Sequence, residues 1–385
     1  MASLNLSIAL ISALLHPRHG GPSEVLRLHV LGLRKIANVD VYGLSCDSDY
    51  QSITDNFGDV ELFQPGFPNR WFYGKGLYRA LLDKSKYSDV YHAHMLWDYP
   101  VYAAWKAATA YKHPLIITPH GSLNNAWRYK GVLKTTYRRL ILDRILPDTA
   151  CVHVLNKEEE LACRNYGMKC PIRIIPNGLP IEVFDSFKDP SLALEKWPEL
   201  SGRKILLYFG RLWHGKGLDI LPDAWAKVAQ TAKKNNWLLV IAGPDYCNYR
   251  ASLEKRIQEL DLGTSVLLTG PVYGNVKESL MAAAALYVLP SHGEGFSMAL
   301  LEAVAAKRPA LFTDKCNFTE LANCGGGWEV VDTAEALADA LRTLLQMNDD
   351  YFIDVGLAGW NYAKEIYSLD AVAIQLIDMY KAALR

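Results

Sequence analysis

Short apolar runs alternating with helix-compatible stretches constrain this chain more than any other feature. The runs fall at 5–13, 38–45, 59–63, 89–92, 114–118 and 150–154, separated by segments at about 22–36, 71–83, 97–111, 129–144 and 156–165 that suit amphipathic helices. A strand that is apolar on both faces must be covered on both, so the pattern predicts a mostly parallel sheet with helices on either side. The rhythm breaks over 185–202, DSFKDPSLALEKWPEL followed by Ser-Gly, which is expected to be a linker. It then restarts, with strands at 204–210, 237–243, 265–270, 286–291 and 309–313 and helices between them, and 333–385 is nearly all helical in pattern. The expectation is an α/β protein of two Rossmann-like domains: 1–190, 191–365, and a last segment 366–385 packing back toward the first domain. With 385 residues, each domain is long enough for a core of its own.

Charge and cysteine usage narrow the classes. Lys+Arg and Asp+Glu are both 41, so no basic excess points to nucleic acid. The balance is uneven along the chain: residues 1–190 hold 22 basic and 18 acidic side chains, and 191–385 hold 19 and 23. Seven scattered cysteines form no Cys-x-x-Cys pair and suit reduced thiols in a cytoplasmic protein. The opening MASLNLSIALISALLH lacks the basic head of a secretion signal and reads as a buried first strand, and the other apolar runs are too short to span a bilayer.

Candidate binding chemistry gathers where strands become helices. Gly20 and Gly21 follow the first strand and its extension, and Pro22-Ser23-Glu24 suits a helix start. Paired glycines let backbone N–H groups approach an anion, although a plain tight turn needs the same residues. The run GRLWHGKG at 210–217 places Arg211 and Lys216 around glycines, a forked and a movable cation fitted to grip a diphosphate. In PSHGEGFSMALLEA at 290–303, Glu294 sits in a glycine-flanked turn, Ser297 is a candidate N-cap, and Glu302 lies among apolar neighbours and so needs a partner. Ligand hydroxyls would serve that carboxylate, while the amides of Gly295, Phe296 and Ser297 would meet an anion at the helix start. These features describe a site for something with phosphates and hydroxyls.

The order Arg211…Lys216 followed by Glu294-x₇-Glu302 resembles the retaining glycosyltransferases of family 4, which have two facing Rossmann-like domains with a deep cleft, the GT-B architecture. Gly20-Gly21, His120 in ITPHGSL, IPNG at 175–178 and TGPV at 269–272 support the resemblance over nearly the whole chain. It implies that Arg211 and Lys216 clamp the donor's diphosphate, Glu302 takes ribose hydroxyls, Glu294 holds the donor sugar, His120 gives the sugar a hydrogen bond, and Gly21 approaches the diphosphate. It also implies a nucleoside-diphosphate sugar as donor, UDP favoured over GDP, and a saccharide or lipid-linked saccharide as acceptor, in polysaccharide or glycolipid synthesis. Ala285 departs from the family, where an acidic residue often precedes that strand. A sugar-nucleotide epimerase or hydrolase, or a nonenzymatic sugar-nucleotide-binding protein, would use similar ligands.

No cofactor and no metal are expected. Asp47-Ser-Asp49 reads as a surface loop, His92-x-His94 lacks further ligands at metal spacing, and the functions of His16 and His19 stay open. The stretch 127–144 carries six basic residues against one acidic, with Trp127, Tyr129 and Tyr137 interleaved. It suits either reversible contact with an anionic membrane surface, making the enzyme peripheral on the cytoplasmic face, or a solvated basic helix with a stripe of Leu133, Tyr137, Leu140 and Ile141 inward. The aromatics of WFY at 71–73 would extend such a surface.

Overall fold

The computed structural model describes residues 6–16, 21–45, 49–67, 71–123, 132–186 and 189–385. The chain divides into two units, 1–178 with 369–385, and 179–368.

In the first unit the strands are β1 (Ser7–Ser12), β2 (Asn38–Leu44), β3 (Glu61–Phe63), β4 (Val90–His94), β5 (Leu115–Thr118), β6 (Thr149–Val154) and β7 (Ile172–Ile174). They form one parallel sheet in the order β3-β2-β1-β4-β5-β6-β7. Ile8, Leu10 and Ile116 face one core with Leu26 and Leu376, and Ala9, Ile11, Ala93 and Ile117 face the other with Leu77 and Ala104, so both faces are covered. The second unit repeats the pattern with β8 (Lys204–Phe209), β9 (Trp237–Ala242), β10 (Val266–Gly270), β11 (Leu286–Leu289), β12 (Ala310–Thr313) and β13 (Gly327–Val330), all parallel, in the order β10-β9-β8-β11-β12-β13. In such doubly wound sheets the strand order reverses beside the first strand, and ligands bind outside the carboxyl ends there. That rule marks the ends of β1 and β4 in one unit and of β8 and β11 in the other.

Several boundaries differ from expectation. The first division falls at Gly178/Leu179 rather than 190/191. The expected linker is a folded part of the second unit: helix Ser191–Lys196 and a 3₁₀ turn Pro198–Leu200 bury Ala193, Trp197 and Leu200, and the Ala193 amide donates to Ser279 Oγ at 3.0 Å. Helix Leu369–Ala383 packs against helix Gly21–Leu33, where a Cβ on Gly32 would lie 2.9 Å from the Leu369 carbonyl oxygen.

The basic stretch also differs. Residues 127–131 lie outside the described residues; the rest forms helix Val132–Tyr137, a π-helical turn Arg138–Leu142 and a further turn Asp143–Ile145. The π turn shifts the helical register, so Leu140 is 58% exposed rather than part of an inward stripe. Tyr137, offered as an interfacial group, instead packs its ring 6.2 Å from Trp71 and 6.0 Å from Trp97 and donates to the Asp98 carbonyl at 3.1 Å. Trp71 and Tyr73 join this cluster through Tyr99, at 5.2 and 4.8 Å, leaving Phe72 exposed. They precede the helix, which begins only at Leu77.

Candidate active site

In the second unit, β8 runs into a loop whose course glycine dictates. Gly217 has φ +70°, and a Cβ there would lie 1.7 Å from the Pro290 carbonyl oxygen, so no other residue lets this loop lie against the end of β11. The close approach brings Lys216 Nζ 2.5 Å from Glu294 Oε1. Ser291 Oγ lies 2.8 Å from the same carboxylate oxygen and 2.9 Å from the Gly215 carbonyl. Glu294 is fixed through its backbone as well: its amide donates to the Lys315 carbonyl at 3.0 Å, and its carbonyl accepts from Asn317 Nδ2 at 2.8 Å. The Glu294 side chain is only 8% exposed, so it depends on Lys216 for charge compensation.

Arg211 stands on the solvent side of the same loop, its guanidinium 5.3 Å from the centre of the Tyr246 ring. Its carbonyl accepts from Tyr208 Oη at 2.8 Å, and burial, followed by the nearby Glu294 charge, pushes the Tyr208 phenol well above its ordinary value. Ser297 caps helix Met298–Ala305 by accepting from the Leu300 amide at 3.3 Å. Gly295 is exposed, and a Cβ there would meet nothing within 4 Å. Phe296 packs its ring 5.1 Å from Phe318 and 5.8 Å from Tyr367, so its side chain anchors the turn and only its backbone can take part in binding.

Glu302 has the partner that its apolar neighbours demanded. Lys277 Nζ lies 2.8 Å from Glu302 Oε2 and 4.9 Å from the centre of the Phe209 ring at the end of β8. Lys277, on helix Gly274–Ala283, escaped the sequence reading because a lone lysine on a helix carries no local signal. The second unit thus sets Arg211, Lys216, Glu294 and Glu302 around the ends of β8 and β11.

In the first unit, Gly20 lies outside the described residues, as do His19, Asp47 and Ser48. Gly21 opens helix Gly21–Leu33, and Ser23 Oγ ties that start to β1 by donating to the Leu15 carbonyl at 2.5 Å. His16 lies 3.7 Å from Asp49. His120 follows β5 with φ +51°, a left-handed conformation that histidine tolerates better than most side chains. Its loop is held by a residue that the sequence reading passed over: buried Glu159 accepts from the Gly121 amide at 2.5 Å and from the Leu155 amide at 2.8 Å.

Half-buried His120 is one end of a histidine network whose other members are buried. His120 Nε2 lies 2.8 Å from His94 Nδ1, the rings stacked at 5.1 Å. His92 contacts Tyr380 Oη at 2.8 Å and Thr118 Oγ1 at 2.7 Å; Thr118 reaches His153 Nδ1 at 2.8 Å, and His153 Nε2 donates to the Ile175 carbonyl at 2.8 Å. His29 fills the remaining side, its ring 5.6 Å from that of His153. Burial, reinforced by the other histidines, pushes His29, His92 and His94 well below 6.5 and His120 to about 3; burial alone, opposed by the bond to the Ile175 carbonyl, pushes His153 to about 4. All five are therefore neutral near pH 7. His94 Nε2 is buried without a hydrogen-bond partner among the described residues, and an unpaired lone pair costs less than an unpaired N–H. Hence His94 carries its proton on Nδ1 and donates to His120, whose own proton sits on Nδ1.

Comparison with known proteins follows this division. Residues 19–183 match the model for Glycosyltransferase Family 4, and residues 192–352 match that for Glycosyl transferases group 1. The chain belongs to glycosyltransferase family 4. It is similar, at 26% identity over 378 residues covering 96% of this chain and 95% of the relative, to the GDP-mannose:cellobiosyl-diphosphopolyprenol alpha-mannosyltransferase of Xanthomonas oryzae pv. oryzae. It is also 26% identical over 77% of its length to the D-inositol 3-phosphate glycosyltransferase of Corynebacterium glutamicum, covering 72% of that protein. In fold it matches Anabaena Alr3699/HepE in complex with UDP and glucose, with TM-score 0.75 and 18% identity over 98% of this chain and 100% of that one. The protein is accordingly a glycosyltransferase with two Rossmann-like units of the GT-B type. Among the described residues, no helix is long and apolar enough to cross a membrane.

Proposed function

We propose that this glycosyltransferase moves a hexosyl group, with retention of configuration, from a nucleoside-diphosphate sugar to a hydroxyl of a saccharide or lipid-linked saccharide in polysaccharide or glycolipid assembly. The observation that carries this reading is the gathering of Arg211, the Lys216–Glu294 pair and the Lys277–Glu302 pair at the ends of β8 and β11. Arg211 and Lys216 supply the donors for a diphosphate. Lys216 and Ser291 both approach Oε1 of Glu294, and Lys277 approaches Oε2 of Glu302, so each carboxylate keeps a second oxygen for hydroxyls of sugar and ribose respectively. As the glycosidic bond breaks, its electron pair passes to the departing diphosphate oxygen, where the two cations stabilise it. The acceptor hydroxyl bonds to the anomeric carbon on the same face, and its proton goes to the leaving oxygen. His120, neutral near pH 7, contributes a hydrogen bond to the sugar rather than a charge.

The relatives that match nearly the whole chain are named for GDP-mannose, which moves GDP-mannose ahead of the UDP-sugars favoured by the sequence reading. The polyprenol-linked acceptor in those names favours a lipid-linked acceptor here. Exposed Arg139 and Leu140 on the π turn then offer a cation and an apolar side chain to an anionic membrane surface.

The test is incubation with GDP-mannose and a panel of UDP- and ADP-sugars, with and without lipid extract. Lipid-dependent transfer with the anomeric configuration kept supports the reading. Epimer formation without acceptor, inversion, or binding without turnover overturns it. Glu302→Gln should weaken binding of the bare nucleoside diphosphate in calorimetry, whereas Glu294→Gln should spare it and slow reaction of the intact donor. Equal loss in both variants would contradict the division of roles.

A further inference from the structure

Beside the donor-binding pair lies a second constellation for which the proposed transfer has no use. His292, just past β11, stands between two carboxylates: its Nε2 is 2.8 Å from Asp219 Oδ1, and its Nδ1 is 2.8 Å from Asp332 Oδ1. His214, on the 3₁₀ turn His214–Lys216, approaches the same Asp219 carboxylate from the other side, with Nε2 3.5 Å from Oδ2 and its ring 5.1 Å from that of His292. One ligand atom each from His214, Asp219 and His292 all lie within 4.8 Å of one another. The backbone holds this arrangement: the His292 amide donates to the Gly215 carbonyl at 3.1 Å, locking the end of β11 to the turn that carries His214.

We propose that His214, Asp219 and His292 form a binding site for a zinc-class divalent cation. Two imidazole nitrogens and one carboxylate are the donor set of an open zinc site with three protein ligands, and they disfavour magnesium and calcium, which prefer oxygen ligands. Asp332 completes the pattern: it accepts from His292 Nδ1–H and so turns Nε2 toward the metal, as carboxylates behind metal-bound histidines do. Charge balances, because the dication faces the two carboxylates of Asp219 and Asp332. The position gives the site a consequence. His214 shares its turn with Lys216, and His292 precedes Glu294 by one intervening residue, so a bound ion ties together the two loops that carry the Lys216–Glu294 pair.

The test does not depend on transferase activity. The metal-free full chain is titrated with Zn²⁺ by calorimetry near pH 7. One saturable site is expected, with no comparable binding of Mg²⁺. His214→Ala should weaken binding at least ~10-fold, and Asp332→Asn by about 10–100-fold. The His214 side chain is 66% exposed, so its variant should melt like the parent without metal, which separates a lost ligand from a lost fold. An absence of saturable binding in the parent overturns the proposal. So does an isotherm unchanged in His214→Ala, which would assign the ion to exposed thiols such as Cys247 and Cys324.

Discussion

The two units share a strand order but furnish their ligand-binding ends with opposite chemistry. At β8 and β11 the second unit sets formal charges in pairs, Lys216 with Glu294 and Lys277 with Glu302, each partly open to solvent. Around β4 and β5 the first unit gathers five histidines, four of them buried and His120 half-buried, that desolvation keeps neutral. A paired charge can be offered to a polyanion with little rearrangement, since lysine has three donors and its carboxylate partner occupies only part of them. A neutral imidazole network offers directed hydrogen bonds without net charge. In the proposed function the paired charges serve the diphosphate and, through Glu294 and Glu302, the donor's hydroxyls, while the histidines offer only uncharged hydrogen bonds.

The largest effect that can break this comparison comes from separating one pair. Lys216→Ala should lower turnover by about 10²-fold or more, through loss of a cation at the leaving group. It should also lower the melting temperature, because Glu294, 8% exposed, loses its counter-charge. Adding Glu294→Gln to Lys216→Ala should restore much of the melting temperature and none of the turnover. Arg211→Ala should cost turnover alone, since Arg211 is exposed and meets only the Tyr246 ring by its side chain among the described residues. Steady-state rates and thermal melts on the four proteins decide it. Near-normal turnover in a folded Lys216 or Arg211 variant would remove that residue from the clamp.

What could be read from the sequence follows the same contrast between local and tertiary signals. The inner strands β1, β2, β4–β6, β8, β9, β11 and β12 coincide with apolar runs because both of their faces are covered; of the partly exposed edge strands, β3 and β10 still follow apolar runs, whereas β7 and β13 carry no such signature. The prolines of 185–202 hid a folded segment, since Ala193, Trp197 and Leu200 are too widely spaced to mark a core by themselves. Arg211, Lys216, Glu294 and Glu302 were legible because glycine-rich turns after strands have a local pattern. Lys277, Glu159 and His29 were not, because each gains its meaning only from a residue far away in the chain.

A smaller effect, acid sensitivity, should separate the units. In the unfolded chain each histidine titrates near 6.5, whereas in the fold all five lie below that value. Below pH about 6.5 the unfolded state therefore binds more protons, and stability falls as the pH drops toward the folded values, by about 1.4 kcal/mol per pH unit for each fully titrating histidine. Asp98, pushed up to about 7 by burial, acts in the opposite sense, because below that pH the fold holds a proton that the unfolded carboxylate lacks, and it offsets about one histidine. Of the two histidines of the second unit, His214 is exposed, and in half-buried His292 burial lowers the pKa but the hydrogen bonds to Asp332 and Asp219 raise it on balance, so His292 favours the fold as the pH falls. Urea unfolding at pH 7.5 and 5.5, followed by hydrogen exchange, should show the first unit losing protection at lower urea in acid while the second changes little. Parallel loss in both units would contradict the assignment of neutral, buried histidines.

The smallest effect sharpens the first unit's side of the comparison. Glu159 touches no reacting group; it accepts the Gly121 and Leu155 amides, and so acts on His120 only by holding its loop. Burial raises its pKa, opposed by those two backbone hydrogen bonds, so the arrangement relies on both amide contacts. Glu159→Gln keeps the size of the side chain but turns an NH₂ toward one of two backbone donors, costing about 1–3 kcal/mol for an unsatisfied buried group. Turnover should fall less than in His120→Ala, for which a loss of about 10²-fold is on the scale of a missing catalytic hydrogen bond. The decisive measurement is the double variant. If Glu159 works through His120, adding Glu159→Gln to His120→Ala should lower the melting temperature further and leave turnover where His120→Ala put it, because the group being positioned is already gone. Multiplying losses in turnover would show that Glu159 supports the reaction by another route.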